Sequence, residues 1–220
     1  MDWRAMGLSF QLAAWTTTIL FLVGLPLGYW LAMTRWRWKF LVEALAALPL
    51  VLPPTVLGFY ILMSTGPESY VGRLIDRSIG TRLPFSFPGI LLGSVLFNLP
   101  FAVRPFTAAF ANLDRRLIEA SWCLGLSRWQ TFWQVSLPLS WPGILAGLVL
   151  TFSHSLGEFG VVLMVGGNIP GITRTLSLAI YDDVQSLNYS AAHRSSLILV
   201  CFALITVSFS HWLTRRESSR

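Results

Sequence analysis

Long apolar stretches separated by short polar segments recur five times along this chain. Each stretch is close to the 20 or so residues that an α-helix needs to cross a bilayer core about 30 Å thick. The stretches cover residues 10–33, 40–63, 88–110, 141–165 and 196–213. The pattern predicts an all-α polytopic membrane protein with about five transmembrane helices, forming a single domain over residues 1–220.

Composition agrees with a membrane location and argues against a soluble domain. Hydrophobic residues make up 54% of the chain and charged residues 12%, and the mean hydropathy is +0.62. The first stretch does not have the charge order of a cleaved signal peptide, because Asp2 precedes it and basic residues follow it. We therefore expect it to remain in the mature protein.

Basic residues set the expected orientation. Those on one side of a five-span arrangement are crowded into short segments: Arg35, Arg37, Lys39, Arg115, Arg116, Arg128, Arg215, Arg216 and Arg220. Cytoplasmic loops are enriched in Lys and Arg, so this side is predicted to be cytoplasmic, with the N-terminus outside and the C-terminus inside. The net charge of +6 then reflects topology, and no nucleic-acid partner is expected.

Prolines interrupt two of the predicted spans. Pro49, Pro53 and Pro54 lie in the second span, and Pro100 and Pro105 lie in the third. Proline removes a backbone donor and clashes with the preceding turn, so each site predicts a kink. The kinks are either tolerated by the helix or form a hinge or cavity-lining bend, and the sequence leaves both interpretations open.

The polar segment 113–138 predicts two short amphipathic helices on the cytoplasmic side. Four residues of the first helix share one face, Leu113, Leu117, Ala120 and Leu124. Gly125 is expected to end that helix in a left-handed conformation. Ser127 and Gln130 fit a capping box that opens a second helix from Arg128 to about Ser136, and Pro138 is expected to close it.

Two uses of this helix pair are open from the residues alone. A short helix exposed to the cytoplasm suits a groove in a partner protein. Alternatively, the pair rests on the lipid headgroups, a position that Trp122, Trp129 and Trp133 would favour.

Ionisable residues inside the predicted spans are candidates for the transport path or its gate. Arg104 either faces a cavity or lies near the end of its span and reaches the cytoplasmic interface. His154 and Glu158 are spaced to share a helical face and pair, which favours a structural or gating pair over a metal site. Gly157 and Gly160 flank Glu158 and are expected to allow another backbone to approach closely.

The segment from Glu119 to Pro138 resembles the EAA loop of binding-protein-dependent ABC importer permeases. The matching positions are Glu119, Ala120, Gly125, Val135, Leu137 and Pro138. Ser121 and Val135 depart mildly from the usual alanine and isoleucine. In that family the loop forms a coupling helix that docks into a cytoplasmic ATPase. The resemblance implies ATPase coupling through Glu119, Ala120, Ser121, Gly125, Leu126, Ser127, Leu137 and Pro138.

A second resemblance narrows the family. The run Ser155-Leu156-Gly157-Glu158-Phe159-Gly160, followed by Gly167-Asn168-Ile169-Pro170-Gly171 and Thr173-Arg174-Thr175, resembles the signature of molybdate and sulfate permeases. The segment 48–54 also resembles the molybdate branch. The resemblance implies a molybdate permease subunit, with tungstate as a close relative among substrates. Sulfate or thiosulfate is the alternative.

The family resemblance also implies the partners of this chain. The expected assembly is a homodimer in a bacterial or archaeal plasma membrane, with two ATPase subunits that carry the ATP and Mg. A separate extracytoplasmic binding protein would dock on loops 64–87 and 166–195, where Asp182 and Asp183 either meet it or are simply solvated.

Two rival classes fit less well. The chain contains no G-x-x-x-x-G-K-[ST] P-loop and no common hydrolase motif, so no catalytic residue, metal or cofactor of its own is expected. A secondary carrier would explain the kinked spans and Glu158, but it would not explain an EAA-type segment.

Overall fold

The computed structural model describes residues 2–80 and 82–217, and the side chains of 78, 79 and 210–217 are not described. Arg220, one of the basic residues counted above, lies outside the described residues. Every regular element within the described part is a helix. The helices are α1 (Trp3–Met33), α2 (Lys39–Val51), α3 (Pro54–Thr65), α4 (Tyr70–Ile79), α5 (Phe87–Ala111), α6 (Arg115–Cys123), α7 (Arg128–Thr131), a π-helical turn (Phe132–Ser136), α8 (Leu137–Leu156), α9 (Gly160–Gly166), α10 (Leu176–Gln185) and α11 (Tyr189–Glu217).

Helix α1 begins seven residues before the predicted first span. The carboxylate of Asp2 caps it by accepting hydrogen bonds from the backbone N–H groups of Arg4 and Ala5, both at 3.0 Å. The helix ends at Met33, as predicted, because Thr34 is extended. Its 31 residues correspond to about 46 Å, more than one bilayer core.

The second predicted span is not one helix. Helices α2 and α3 meet at an angle of 111°. Leu52 and Pro53 each precede a proline and are extended, with ψ values of 136° and 135°, because a residue before proline is pushed out of the helical region. The interruption that the prolines predict in the second span is therefore present, as a break between two helices.

Helix α5 is the central element and closely matches the predicted third span. It packs against α1 on one side and α8 on another. Its buried residues Ala102, Phe106 and Phe110 form a core with Leu20 of α1 and Ile144 of α8. The helix approaches α1 closely, since a Cβ added to Gly28 of α1 would lie 2.8 Å from the Phe106 Cβ. Pro100 and Pro105 lie within this continuous helix.

The fourth predicted span is wrong at both ends. A continuous helical segment starts at Arg128, passes through the π-helical turn and ends at Leu156. Gly157, Glu158 and Phe159 interrupt the helix, and α9 follows as a separate helix that packs on α3. The interruption occurs where glycine, which disfavours helix, follows Leu156 directly.

The last span starts earlier than predicted, at Tyr189 instead of residue 196. Four described helices are long and apolar enough to cross a membrane, or five if the bent α2–α3 pair counts as one span. The prediction of about five spans is confirmed in this sense. The fifth span, α11, is mostly exposed on the isolated chain.

Candidate functional site

Helix α6 ends at a glycine in the left-handed conformation, as the sequence predicts, and backbone hydrogen bonds form the turn that follows. Gly125 has φ +85°, and its N–H donates to the carbonyl of Trp122 at 3.0 Å. The N–H of Leu126 donates to the carbonyl of Ser121, also at 3.0 Å. The two bonds form a Schellman motif, which places glycine at its left-handed position.

The capping box at α7 is also present. The Ser127 hydroxyl accepts from the backbone N–H of Gln130 at 3.3 Å, and the Gln130 side chain accepts from the N–H of Ser127 at 2.9 Å. Pro138, however, does not close the second helix. It lies in the first turn of α8, and the π-helical turn just before it accommodates its ring, with Leu137 N–H bonded to the carbonyl of Phe132.

Ser121 braces α6 against α7. It is 4% exposed, and its hydroxyl donates to the carbonyl of Ile118 at 2.6 Å and lies 2.9 Å from the Thr131 hydroxyl. Sequence reasoning missed Thr131, which is fully buried. The two side chains hold the turn 124–127 in one shape, because a hydroxyl pair buried between the helices has no water to bond instead.

Three of the four residues of the predicted apolar stripe face outward, whereas Leu113, which precedes α6, is half-buried and packs on the core around Phe110. Leu117 is 49% exposed and Leu124 is 83% exposed, while Ile118 and Ser121 are the buried residues of the helix. Glu119 and Ala120 are also exposed. The first helix therefore exposes Leu117, Glu119, Ala120 and Leu124 at its surface.

A buried polar cluster joins α5 to the break after α8. Glu158 is 4% exposed. Its Oε2 accepts from the Ser94 hydroxyl at 2.7 Å and from the Asn98 amide at 3.0 Å. Its Oε1 is buried with no hydrogen-bond partner among the described residues. A buried carboxylate is costly unless hydrogen-bonded, so these two donors largely decide where Glu158 lies.

The predicted direct pairing of His154 with Glu158 is wrong. Asn98 lies between them: its Nδ2 donates to Glu158, and its Oδ1 lies 2.9 Å from Nδ1 of His154. This network assigns the proton to Nδ1 of the histidine. The helical spacing fails because Glu158 lies beyond the end of α8. The His154 ring stacks on Phe101 with centroids 3.8 Å apart.

The cluster continues into α1. The Thr16 hydroxyl donates to Ser94 Oγ at 3.0 Å, and the Ser155 hydroxyl lies 3.0 Å from the same oxygen. All of these residues are buried. Three helices and one interhelical loop thus share one polar network. Sequence reasoning missed Thr16, Ser94 and Asn98, although Ser94 and Asn98 are polar, four residues apart, and lie in an apolar stretch.

The two glycines beside Glu158 behave differently. A Cβ added to Gly160 would lie 2.8 Å from the Cβ of Pro54, so α9 and α3 approach closely there. A Cβ added to Gly157 would meet only the His154 carbonyl, at 3.9 Å. Within this chain a close approach is therefore present at Gly160 and absent at Gly157, and the approach of a second subunit to Gly157 stays a prediction.

Arg104 does not lie at the end of its helix. Helix α5 continues past Pro105 to Ala111, about two turns beyond. Arg104 is exposed and lines a cavity of about 360 Å³ with Glu43 and Thr107, between α2 and α5. The expectation that the helix ends near Arg104 is wrong, and the position of its side chain relative to the membrane interface stays a prediction.

Residues 167–175, which belong to the second family resemblance, form a loop between α9 and α10 that side-chain hydrogen bonds and an ion pair hold in place. Asn168, with φ +57°, donates its amide to both carboxylate oxygens of Asp182 at 2.9 Å. Arg174 donates to Asn168 at 3.0 Å and forms an ion pair with Asp182 at 3.0 Å. The Asp182 carboxylate is therefore paired within the chain and is not a simply solvated loop charge.

Comparisons with known proteins agree on one family. Residues 24–219 match the family described as "Binding-protein-dependent transport system inner membrane component". The molybdenum transport system permease protein ModB of Azotobacter vinelandii is 44% identical over 98% of this chain and 95% of its own length. The probable sulfate transport system permease protein cysT of Chlorella vulgaris is 29% identical over 91% of this chain and 75% of its own length.

The fold matches a solved transporter. A bacterial alginate ABC transporter, in complex with its alginate pentasaccharide-bound periplasmic protein, contains a chain that aligns with a TM-score of 0.77 at 20% identity. The alignment covers 97% of the present chain and 78% of the other. With its membrane-length helices and a family match over most of its length, the chain belongs to the binding-protein-dependent transport system inner membrane components, the permeases of ABC importers.

Proposed function

We propose that this chain is the permease subunit of an ATP-driven molybdate importer. The observation that carries this proposal is the 44% identity to a molybdenum permease over nearly the full length of both chains. Tungstate is expected to follow the same path because it is a tetrahedral dianion of the same shape. Sulfate is less favoured, because the sulfate relative is more distant and this chain spans only three quarters of it.

The chain acts mechanically in this proposal. ATP and Mg bind to two separate ATPase subunits, and substrate arrives on an extracytoplasmic binding protein. A second copy of the chain completes the path, because each copy supplies only four or five spans and a path needs walls on all sides. The binding protein docks on loops 64–87 and 166–195, the second of which is locked by Asn168, Arg174 and Asp182.

Coupling to the ATPase occurs through residues 113–138, which we name the coupling segment. Its exposed stripe at Leu117 and Leu124 suits a groove in a partner protein. The Schellman turn, the capping box and the Ser121–Thr131 pair keep the segment in one shape. A rigid segment transmits displacement better than a flexible one.

Helix α8 carries that displacement across the membrane. Residues 128–156 are continuously helical, about 43 Å of helix. At the far end, the Glu158 cluster ties the break after α8 to α5 and α1. We propose that His154, Gly157, Glu158 and Gly160 form a gating region at this break, and that alternating access moves α8 against α5. Arg104, which lines a cavity between α2 and α5, is a further candidate for the path.

A matched pair of glycine variants tests the coupling role. Gly125 and Gly171 both have positive φ, +85° and +76°, with nothing near the position of an added Cβ. Alanine at either site introduces similar backbone strain, about 1 kcal/mol. Gly125→Ala, and more strongly Glu119→Lys, are expected to reduce co-purification of the ATPase and ATP-dependent molybdate uptake into vesicles. Gly171→Ala is expected to retain the ATPase.

Two outcomes would contradict the proposal. Normal ATPase retention in both Glu119→Lys and Gly125→Ala would remove the coupling role. Uptake that persists in vesicles without ATPase or binding protein would favour a secondary carrier. Calorimetry of the binding protein with molybdate, tungstate and sulfate identifies the substrate, and its result does not depend on ATPase retention or on uptake into vesicles.

A further inference from the structure

A large cavity lies between the end of α1 and the coupling segment. Its volume is about 870 Å³, within the range of pockets that hold small organic ligands. Residues of α1, the following turn, α6, α7 and the π-helical turn line it. The family resemblance gives no role to this cavity.

The lining is cationic. Arg35, Arg115 and Arg128 contribute to it, and Glu119 is the one acidic residue among the lining residues. Ion pairs in the described part of the chain join Lys39 to Glu43 and Arg174 to Asp182, so the three arginines have no carboxylate partner there. An anionic ligand would neutralise the excess positive charge.

The rest of the lining is apolar and extends along α1. Leu25, Pro26, Tyr29 and Met33 lie on the helix over its last two turns, about 12 Å from first to last. Three tryptophans, Trp122, Trp129 and Trp133, complete the walls and are 48%, 69% and 50% exposed. Tryptophan is enriched where a membrane protein crosses from lipid to water.

We propose that this cavity binds one anionic phospholipid of the adjacent leaflet. The arginines bind its phosphate and the apolar side along α1 holds part of an acyl chain. Basic pockets at the cytoplasmic ends of transmembrane helices bind anionic headgroups in this way. A free oxyanion would use the arginines but not the 12 Å apolar wall. A bound lipid braces α6 and α7 against α1, which makes coupling lipid-dependent; this consequence rests on the proposed function.

Charge-matched double variants test the site. Arg35→Gln with Arg115→Gln removes two lining arginines. Arg37→Gln with Arg116→Gln removes two arginines from the same loop and the same helix that do not line the cavity; Arg37 instead lies over the Trp38 ring. The full-length protein, with and without its ATPase, is purified and incubated with phosphatidylglycerol or phosphatidylcholine of identical acyl chains. Retained lipid is quantified by mass spectrometry after detergent exchange.

Wild type and the Arg37/Arg116 variant are expected to retain phosphatidylglycerol over phosphatidylcholine, with or without ATPase. The Arg35/Arg115 variant is expected to bind it about 30-fold more weakly, from about 1 kcal/mol for each arginine. Three results would overturn the proposal: equal loss in both variants, displacement of the lipid by millimolar phosphate or molybdate, or displacement by the ATPase. None of these readouts requires transport, so loss of molybdate uptake alone would not affect them.

Discussion

Asn98 links the side chains of His154 and Glu158, which lie four residues apart in the sequence. Its amide donates to Glu158 at 3.0 Å and its carbonyl oxygen accepts from His154 at 2.9 Å. Asn98 and Glu158 are buried, and His154 is half-buried. Ser94 supplies the second donor to the same carboxylate oxygen. Removing one partner from a buried network leaves the others unsatisfied, whereas removing two can be nearly neutral.

A double-mutant cycle measures this coupling. Asn98→Leu is expected to lower the free energy of unfolding by about 2–3 kcal/mol, because Glu158 and His154 each lose a partner. When Glu158→Met is already present, the cost of Asn98→Leu is expected to fall by about 1–3 kcal/mol. Denaturant unfolding in mixed micelles gives the values.

A control for this cycle uses Thr206, whose hydroxyl bonds only within α11. Asn98→Leu and Thr206→Val are expected to be additive. Additivity to within about 0.5 kcal/mol in the Asn98–Glu158 pair as well would show that the network has no energetic coupling.

Gly160 and Gly157 provide a second residue-level comparison. Gly160→Ala is expected to destabilise the protein by about 1–3 kcal/mol, because its Cβ would overlap Pro54 and push α9 from α3. Gly157→Ala has room and an ordinary φ of −88°, so it is expected to change stability by less than about 0.5 kcal/mol. Thermal unfolding in detergent compares them, and similar melting temperatures for the two variants would contradict this geometry.

Among the helices, the effect of proline depends on spacing. Pro53 and Pro54 are adjacent, so two consecutive residues are forced into extended conformation and the helix breaks. Pro100 and Pro105 are separated by more than one turn and α5 stays continuous. Pro138 is accommodated by a π-helical turn. Each proline in the sequence predicts a disturbed helix. Whether the helix breaks, stays continuous or forms a π-helical turn depends on the neighbouring residues.

Replacing both prolines of the tandem is expected to straighten the α2–α3 pair. The two exposed native thiols are first removed by Cys123→Ala and Cys201→Ala. With Pro53→Ala and Pro54→Ala, spin labels at Leu45→Cys and Met63→Cys are then expected to move apart, toward the roughly 27 Å of a continuous helix. Both positions are exposed, at 69% and 60%. Electron paramagnetic resonance measures the distance, with Pro100→Ala as a control that should leave it unchanged. No increase in the double variant would show that packing on α9, and not the prolines, sets the bend.

Over the whole molecule, the coupling segment and the turn after α1 lie on the same side, because Arg35 and Arg128 line one cavity. The start of α1 lies on the other side, where the Ser9 hydroxyl accepts from the N–H of Leu176 at 2.8 Å. For the turn after α1 and the coupling segment, the shared side predicted from charge thus agrees with the structure.

Cysteine labelling determines which side faces the cytoplasm. Cys123 is exposed in the coupling segment and is expected to react with a membrane-impermeant maleimide only in inside-out vesicles. A cysteine at exposed Gln185, after Cys123→Ala, is expected to react only in intact cells, since it lies at the end of α10 on the opposite side. In both experiments the other exposed cysteine, Cys201, is replaced by alanine. The reverse pattern would place the N-terminus in the cytoplasm and contradict the proposed orientation.

Local interactions account for most of what could be predicted. Apolar length identified the membrane helices, and the Gly125 turn and the Ser127–Gln130 capping box were readable because their bonds join residues within a few positions. Motif spacing then indicated the family, which the comparisons confirm. Helix ends were less accurate, since the glycine at 157 breaks the helix whereas Gly143 and Gly147 lie inside the same helix without breaking it.

The membrane location, the helical class and the turn of the coupling segment therefore follow from the amino-acid sequence alone. Three contacts are visible only in the folded chain. Asn98 lies between His154 and Glu158, α9 packs closely against Pro54, and three arginines line one cavity. These contacts join residues distant in the chain. Their geometry depends on how helices pack and where they break, which no short stretch of sequence encodes.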